Sequence, residues 1–399
     1  MIKNKKNIFW ILPLIFFVIA PNLRPIFKYF TFFQSGLFII YSLFVISLVY
    51  LLQKNKLKFY FSKLLGSYLF VFFIFLLVSL LILFLYPIAD ELKFQMRGSD
   101  QDDCVIIGVM QLVSLLHPYD KTSYLGNPCS TGLGIILLYS PFVLFKIYCL
   151  ASIFLAYLCT YVIRDNSRNV YVASVFTILQ FSSLFSMELL IVGSDLIFVG
   201  FGLVLLSFQT ISLVLKKNTY NIFWLAVFAG LLSSSRINFL VIAPIISIFI
   251  FIHWQKGGLL FALYSVSVAI IPSTILYFVD SSKFSPFHLL EKSNLLLQGG
   301  LKEVAILLSI LAFLFSCNLI KKSIRLLPIS LFLCLLPSLL SLSFGDLLLR
   351  SLNFAMWEGA NYLAPIIPLS FAIISYYVTK SNKNLVAATE VTRSLIRKK

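Results

Sequence analysis

LLGSYLFVFFIFLLVSLLILFLY, residues 64–86, contains no charged side chain and is long enough to cross a hydrocarbon core of about 30 Å as one helix. Runs of the same kind lie on both sides of it, at 8–27, 31–52, 135–163, 169–189, 196–215, 221–234, 237–252, 258–279, 301–319, 326–344 and 359–378. In lipid every backbone N–H and C=O must find its partner within the segment, so such runs are helical. The sequence therefore predicts an all-α, polytopic membrane protein with about 12 transmembrane helices. The first run follows Met1-Ile-Lys-Asn-Lys-Lys6 without a small-residue cleavage site and reads as a retained helix, broken at Pro21 and Pro25.

Composition agrees with this reading. Of 399 residues 60% are hydrophobic and 12% charged, with a mean hydropathy of +0.97, whereas a soluble domain carries about 25% charged residues. The net charge of +17 lies in short clusters between apolar runs, which makes it a topology signal rather than a nucleic-acid surface. Threading the runs from a cytoplasmic N-terminus puts Lys54, Lys56, Lys58, Lys63, Arg164, Arg168, Lys216, Lys217, Lys256, Lys321, Lys322, Arg325 and the basic tail 380–399 inside. With Lys3, Lys5 and Lys6 that is about 21 of the 32 basic residues, as the positive-inside rule expects. Of the acids, only Asp165 and Glu390 fall inside. Acids contribute little to orientation, so their outward bias points to function on the outer face.

The longest polar stretch is the outer loop 88–134, which opens with Gly98-Ser-Asp100-Gln-Asp102-Asp103-Cys104. Apolar residues at 105, 109, 112, 113 and 116 give a helical stripe for a helix lying on the membrane, with Gln111 off the stripe. Ser99 or Asp100 can cap that helix, and acids favour its positive end. Three carboxylates in four residues also suit proton abstraction from a hydroxyl, or oxygen ligation of a divalent cation such as Mg or Mn by Asp102 and Asp103. On a helix, Asp100 and Asp103 share a face. Cys104 and Cys129 share this loop and can pair, whereas Cys149, Cys159, Cys317 and Cys334 lie in apolar runs as small hydrophobes. A helix of 135–163 is too long for a plain span, so 135–145 reads as a second outer-face helix with Lys146 at the interface.

Farther along, Arg236 follows Ser233-Ser-Ser235 at the outer face. It reads either as a snorkelling helix end or as a two-pronged clamp on a lipid-linked phosphate. Asp195 reads first as a helix cap. Glu358, Asn361 and Tyr362 offer three hydrogen-bonding side chains in five residues, either to grip a sugar or simply to end a helix. His253 and His288 are isolated. Neither an internal repeat nor a Gly-rich phosphate loop is present.

At these residues the chain resembles polytopic glycosyltransferases of the C-type (GT-C) superfamily, especially bacterial mannosyltransferase-like members near glycosyltransferase family 87. The resemblance runs from Lys63 to Val378. It rests on Gly-Ser-Asp-Gln-Asp-Asp at 98–103, Pro118-Tyr119 with Leu125-Gly-Asn127-Pro128, Ser-Ser-Arg-Ile-Asn-Phe at 234–239 and Glu-Gly-Ala-Asn-Tyr at 358–362. It implies a plasma-membrane enzyme that moves a sugar from a polyprenyl-phosphate donor to a glycan, lipid or protein hydroxyl on the outer face, with inversion. Asp100, Asp102 and Asp103 would be the catalytic group, with Asp100 first in line as base. Arg236, Asn127, Glu358, Asn361 and Tyr362 would bind substrate. The acidic loop follows the third run here and the first in such enzymes, so 1–63 reads as two added helices, 64–379 as the catalytic module and 380–399 as a cytoplasmic tail. A polysaccharide polymerase or ligase is the competing enzyme class, and a secondary transporter the competing non-enzyme.

Overall fold

The computed structural model describes residues 14–53, 67–95 and 99–380, and among these every regular element is helical. In chain order they are α1 (Leu23–Tyr29), α2 (Gln34–Gln53), α3 (Tyr68–Glu91), α4 (Asp103–Val113), α5 (Leu133–Leu144), α6 (Ala151–Ser167), α7 (Val170–Ser182) and α8 (Leu184–Ile191). The second half holds α9 (Asp195–Lys216), α10 (Thr219–Ser233), α11 (Ile242–His253), α12 (Gln255–Val279), α13 (His288–Leu296), α14 (Leu301–Lys322), α15 (Leu327–Leu349) and α16 (Ile366–Lys380). Among the described residues, seven helical stretches are long and apolar enough to cross a membrane, or eight if the bent pair α7–α8 is one span.

The difference from twelve straight spans has local causes. The predicted helix 135–163 is two pieces: α5 stops at Leu144, Lys146 takes a left-handed φ of 58°, and a new helical stretch opens at Tyr148. The run 169–189 bends by 75° between α7 and α8, where the Ser183 hydroxyl accepts from the Ser186 N–H and caps the second piece. The last run begins as a three-ten turn, Glu358–Leu363, because Pro365 and Pro368 withhold the amides that an earlier α-helix would use. In the first run, 8–13 lie outside the described residues, and the rest breaks into a three-ten turn at Ala20–Asn22 and the short α1, at the two prolines.

Helix α9 is the hub, with 83% of its membrane window buried, while the windows of α2, α3, α12 and α14 are 11–17% buried. Those outer helices turn Leu69, Phe84 and Phe278 outward, a surface suited to lipid and not to water. Helix α6 runs parallel to α9, with Tyr148 Oη donating to the Gly193 carbonyl and Cys159 Sγ to that of Phe201. Both therefore start at one end of the bundle. That end gathers Asp102, Asp195 and Arg236, and the opposite end gathers Lys216, Lys217, Lys321, Lys322 and Arg325. Helix α4 is shorter than its predicted stripe and rotated from it. Val105, Val109 and Gln111 face inward, while Val113 and Leu116 are exposed.

Candidate functional site

The end of α3 and the turn after it present Tyr86, Asp90 and Lys93, spaced by four and three residues and so on one face. The chain returns with Asp102 and Asp103 at the start of α4, against that face. Tyr86 Oη donates to Asp102 Oδ2 at 2.6 Å. Lys93 Nζ donates to Asp103 Oδ1 at 2.7 Å and lies 2.6 Å from Asp90 Oδ1, and the Tyr124 amide donates to Asp103 Oδ2 at 3.0 Å. None of these carboxylates caps α4: Asp102 occupies the N-cap position, but its side chain makes no capping hydrogen bond. The capping expectation for Ser99 and Asp100 is thereby corrected.

Asp102 is the unusual member. It is 1% exposed, and its Oδ1 has no hydrogen-bond partner. Burial pushes its carboxyl up to about 7, helped by Asp90 and Asp103 and opposed by the Tyr86 hydrogen bond and the Lys93 charge. Asp100 is elsewhere. It precedes the helix, so it shares no helical face with Asp103, and its Oδ2 accepts from Ser123 Oγ at 2.6 Å and Asn127 Nδ2 at 2.9 Å. Asp100 and Asn127 thus tie the loop to itself. Asp90, which the sequence reading passed over, takes the place expected of Asp100: one oxygen from each of Asp90, Asp102 and Asp103 lies within 4.8 Å of the others.

Cys104 and Cys129 are joined, with Cα atoms 5.1 Å apart, and this fastens the first turn of α4 to the loop that leads into α5. That loop lies directly on the Arg236 segment. The Gly132 amide donates to the Ser235 carbonyl at 2.7 Å, and a Cβ at Gly132 would sit 1.8 Å from the Ser234 oxygen, so only glycine allows the approach. Arg236 Nη2 donates to both Asp195 oxygens at 3.1 and 2.9 Å, and Nη1 donates to Ser130 Oγ at 3.3 Å. Arg236 Nε is buried without a partner. Asp195 is more than a helix start: it is a buried counter-ion in the first turn of α9.

The acidic cluster and the Asp195–Arg236 pair are held side by side by the turn between α8 and α9. Gly193 there has a φ of +67°, and the space it leaves is taken by Tyr148, Tyr86 and the Asp102 Cβ. On the far side of the same turn Glu188 is 6% exposed and receives Arg24 Nη1 at 3.3 Å, Lys28 Nζ at 3.3 Å and Tyr29 Oη at 3.1 Å. Arg24 also donates to Asn361 Oδ1 at 2.8 Å. Tyr362, next to it, is mostly buried; burial raises its phenol while the Arg236 charge lowers it. Glu358 does not join them. It is exposed and pairs with Arg350 at 3.0 Å.

Sequence reasoning missed Arg24, Lys28, Glu188, Asp90, Lys93 and Tyr86. A charge inside an apolar run was the available signal for Arg24 and Glu188. No protein family, curated protein or solved structure matches the chain.

Proposed function

We propose that this protein is a membrane glycosyltransferase that moves a sugar from a polyprenyl-phosphate donor to an acceptor hydroxyl on the extracytoplasmic face, with Asp102 as the general base. The observation that supports this most directly is Asp102 itself. One oxygen is held by Tyr86, the other is free, and the group exchanges its proton near neutral pH. The acceptor hydroxyl gives its proton to Asp102 Oδ1 as its oxygen bonds to the anomeric carbon. The bond from that carbon to the phosphate oxygen breaks, and the polyprenyl phosphate leaves with the electron pair. Negative charge grows on the departing phosphate, where Arg236 Nε and Nη1 supply donors that are fixed in advance by Asp195. Asn361, which accepts from Arg24, and Tyr362 are the residues assigned to the sugar, and Asp100 and Asn127 hold the loop shape. A single displacement inverts the sugar.

A divalent cation would be held by Asp102 and Asp103 with Asp90. Lys93 Nζ already bridges Asp90 and Asp103, so a metal has to displace an ammonium. The same reading puts the protein in a bacterial plasma membrane with about twelve crossings, both termini cytoplasmic and the acidic end outward, in keeping with the basic clusters at the opposite end. The test is incubation of purified protein with a panel of polyprenyl-phosphate sugars. Donor consumption by the parent and its loss in Asp102→Asn support the reading, and no consumption with any donor and acceptor pair counts against it.

One observation favours a transporter instead: the helix pair α7–α8 is broken by 75° beside the buried Glu188, and discontinuous helices beside buried charges mark many transport sites. Substrate accumulation in proteoliposomes without donor cleavage would select that reading.

A further inference from the structure

At the end of the bundle far from Asp102, about 30 Å along α9 from Asp195, the helices enclose a cavity of about 460 Å³. Lys321, Lys322, Arg325 and His253 are among its lining residues, and no Asp or Glu among the described residues lines it. Among the described residues, the three cations form no ion pair with a carboxylate. The other side is apolar: Phe208, Ile211 and Ile373 are buried, and Leu215 is 67% exposed at the rim.

Basic residues that only mark topology stand in water and need no cavity. Lys321, Lys322 and Arg325 are themselves exposed, but they stand around one partly enclosed space, where an anion relieves their mutual repulsion. A free inorganic anion would leave the Phe208–Leu215 wall unused. A phosphate with an attached acyl or isoprenoid chain uses both sides, with its charge on Lys321, Lys322 and Arg325 and its chain leaving past Leu215 toward the lipid-facing surface. We propose that this cavity is a binding site for the phosphate headgroup of an anionic lipid. It is separate from the Asp102 site and stands whether or not that site turns over a sugar donor.

The experiment is native mass spectrometry of the purified full chain, titrated with phosphatidylglycerol, phosphatidylcholine or inorganic phosphate. A photoreactive benzoylphenylalanine at Leu215 provides a second readout. Phosphatidylglycerol is expected to bind at least about tenfold more tightly than phosphatidylcholine. Binding should weaken roughly fivefold in Arg325→Gln and about a hundredfold in Lys321→Gln/Lys322→Gln/Arg325→Gln, while Lys321→Arg keeps it. The cross-linker should capture phosphatidylglycerol in the parent. Should the triple variant fold poorly, the Arg325→Gln and Lys321→Arg pair decides alone. Equal binding of both lipids, an unweakened Arg325→Gln, displacement of lipid by equimolar inorganic phosphate, or a cross-link to the chain's own residues 381–399 would each overturn the proposal.

Discussion

Burial and two neighbouring carboxylates keep a proton on Asp102 up to about pH 7, while Tyr86 and Lys93 pull the other way. The consequence for stability has a definite sign. A carboxyl whose folded pKa lies above its ordinary 3.8 is held neutral by folding, so its unfavourable contribution is absent below pH 4 and grows as pH rises toward about 7. Asp102→Asn is therefore expected to match the parent's Tm at pH 4 and exceed it at pH 8, which a pair of melting curves would show. Turnover should rise through about pH 7 in the parent. Asp102→Asn should lose roughly 100-fold to 10,000-fold in the chemical step, whereas Asp100→Asn, which keeps an acceptor for Ser123, should lose far less. If Asp100→Asn is the dead variant, the base is Asp100 after all. Arg236 makes a separate case. Removing it strands Asp195, 1% exposed, and should destabilise by about 3–5 kcal/mol. Arg236→Met with Asp195→Leu should restore the Tm but not donor turnover, and Arg236→Lys should stay impaired because an ammonium cannot reproduce the forked contact. Full activity in Arg236→Lys would reduce its role to charge alone.

Helix α4 owes its position to two ties that differ in kind. Lys93 and Tyr86 hold its first turn to α3 through polar contacts, and Cys104–Cys129 holds it covalently to the loop that runs onto Arg236. Replacing both cysteines with serine opens a closure of 25 residues, expected to destabilise by about 3 kcal/mol in the chain-entropy model. Because the tie joins the Asp102 and Arg236 halves, turnover should fall more than donor binding does; equal loss in both would mean the bridge serves stability only. Peptide mapping of alkylated, unreduced protein checks the bridge itself. At this scale the sequence was legible where a local signal existed. The pairing of two cysteines in one loop, the break near Lys146 and the proline break before α1 all follow from short-range chemistry. Gln111 was misread because Val113 and Leu116 are exposed, and in a membrane protein an outward apolar residue is unremarkable, so the stripe lost its meaning as a core marker. The pairing of Arg24 with Glu188 was out of reach: the two are 164 positions apart, and nothing local in either apolar run marks the other as its partner. Within the segment 1–63, which reads as two added helices, α1 carries Arg24, and its bond to Asn361 places Arg24 at the same end as the site.

Across the whole molecule, charge is divided by end. The ion-paired acids Asp103, Asp195 and Glu188 lie with their cations where α9 begins, and Lys216, Lys217, Lys321, Lys322 and Arg325, none of them in an ion pair among the described residues, lie where it finishes. Hydropathy exposed this division early because a bilayer sorts charges by loop, but it does not tell a straight crossing from a helix that bends or stops short, and seven or eight of its runs are long, apolar helices among the described residues. Orientation is the last step, and it is testable with single cysteines. Ser282 is exposed near the acidic end, and Lys322 is exposed at the basic one; Lys56, a further basic-side position, lies outside the described residues. Ser282→Cys is expected to react with a membrane-impermeant maleimide on intact cells, and Lys322→Cys only with a permeant one. The result bears on more than topology. An acidic end that faces outward puts Cys104 and Cys129 in an oxidising compartment, where their bridge persists, and gives Asp102 access to acceptors outside the cell. The reversed labelling pattern would put that bridge in a reducing cytoplasm, where thiols stay free, and would send a lipid-linked donor to the wrong side of the membrane. The two measurements, maleimide labelling and the state of Cys104 and Cys129, must therefore agree. Labelling of Lys322→Cys from outside together with free thiols at 104 and 129 would remove the extracytoplasmic site, while outward Ser282 with an intact bridge leaves the Asp102 end open to lipid-linked sugars.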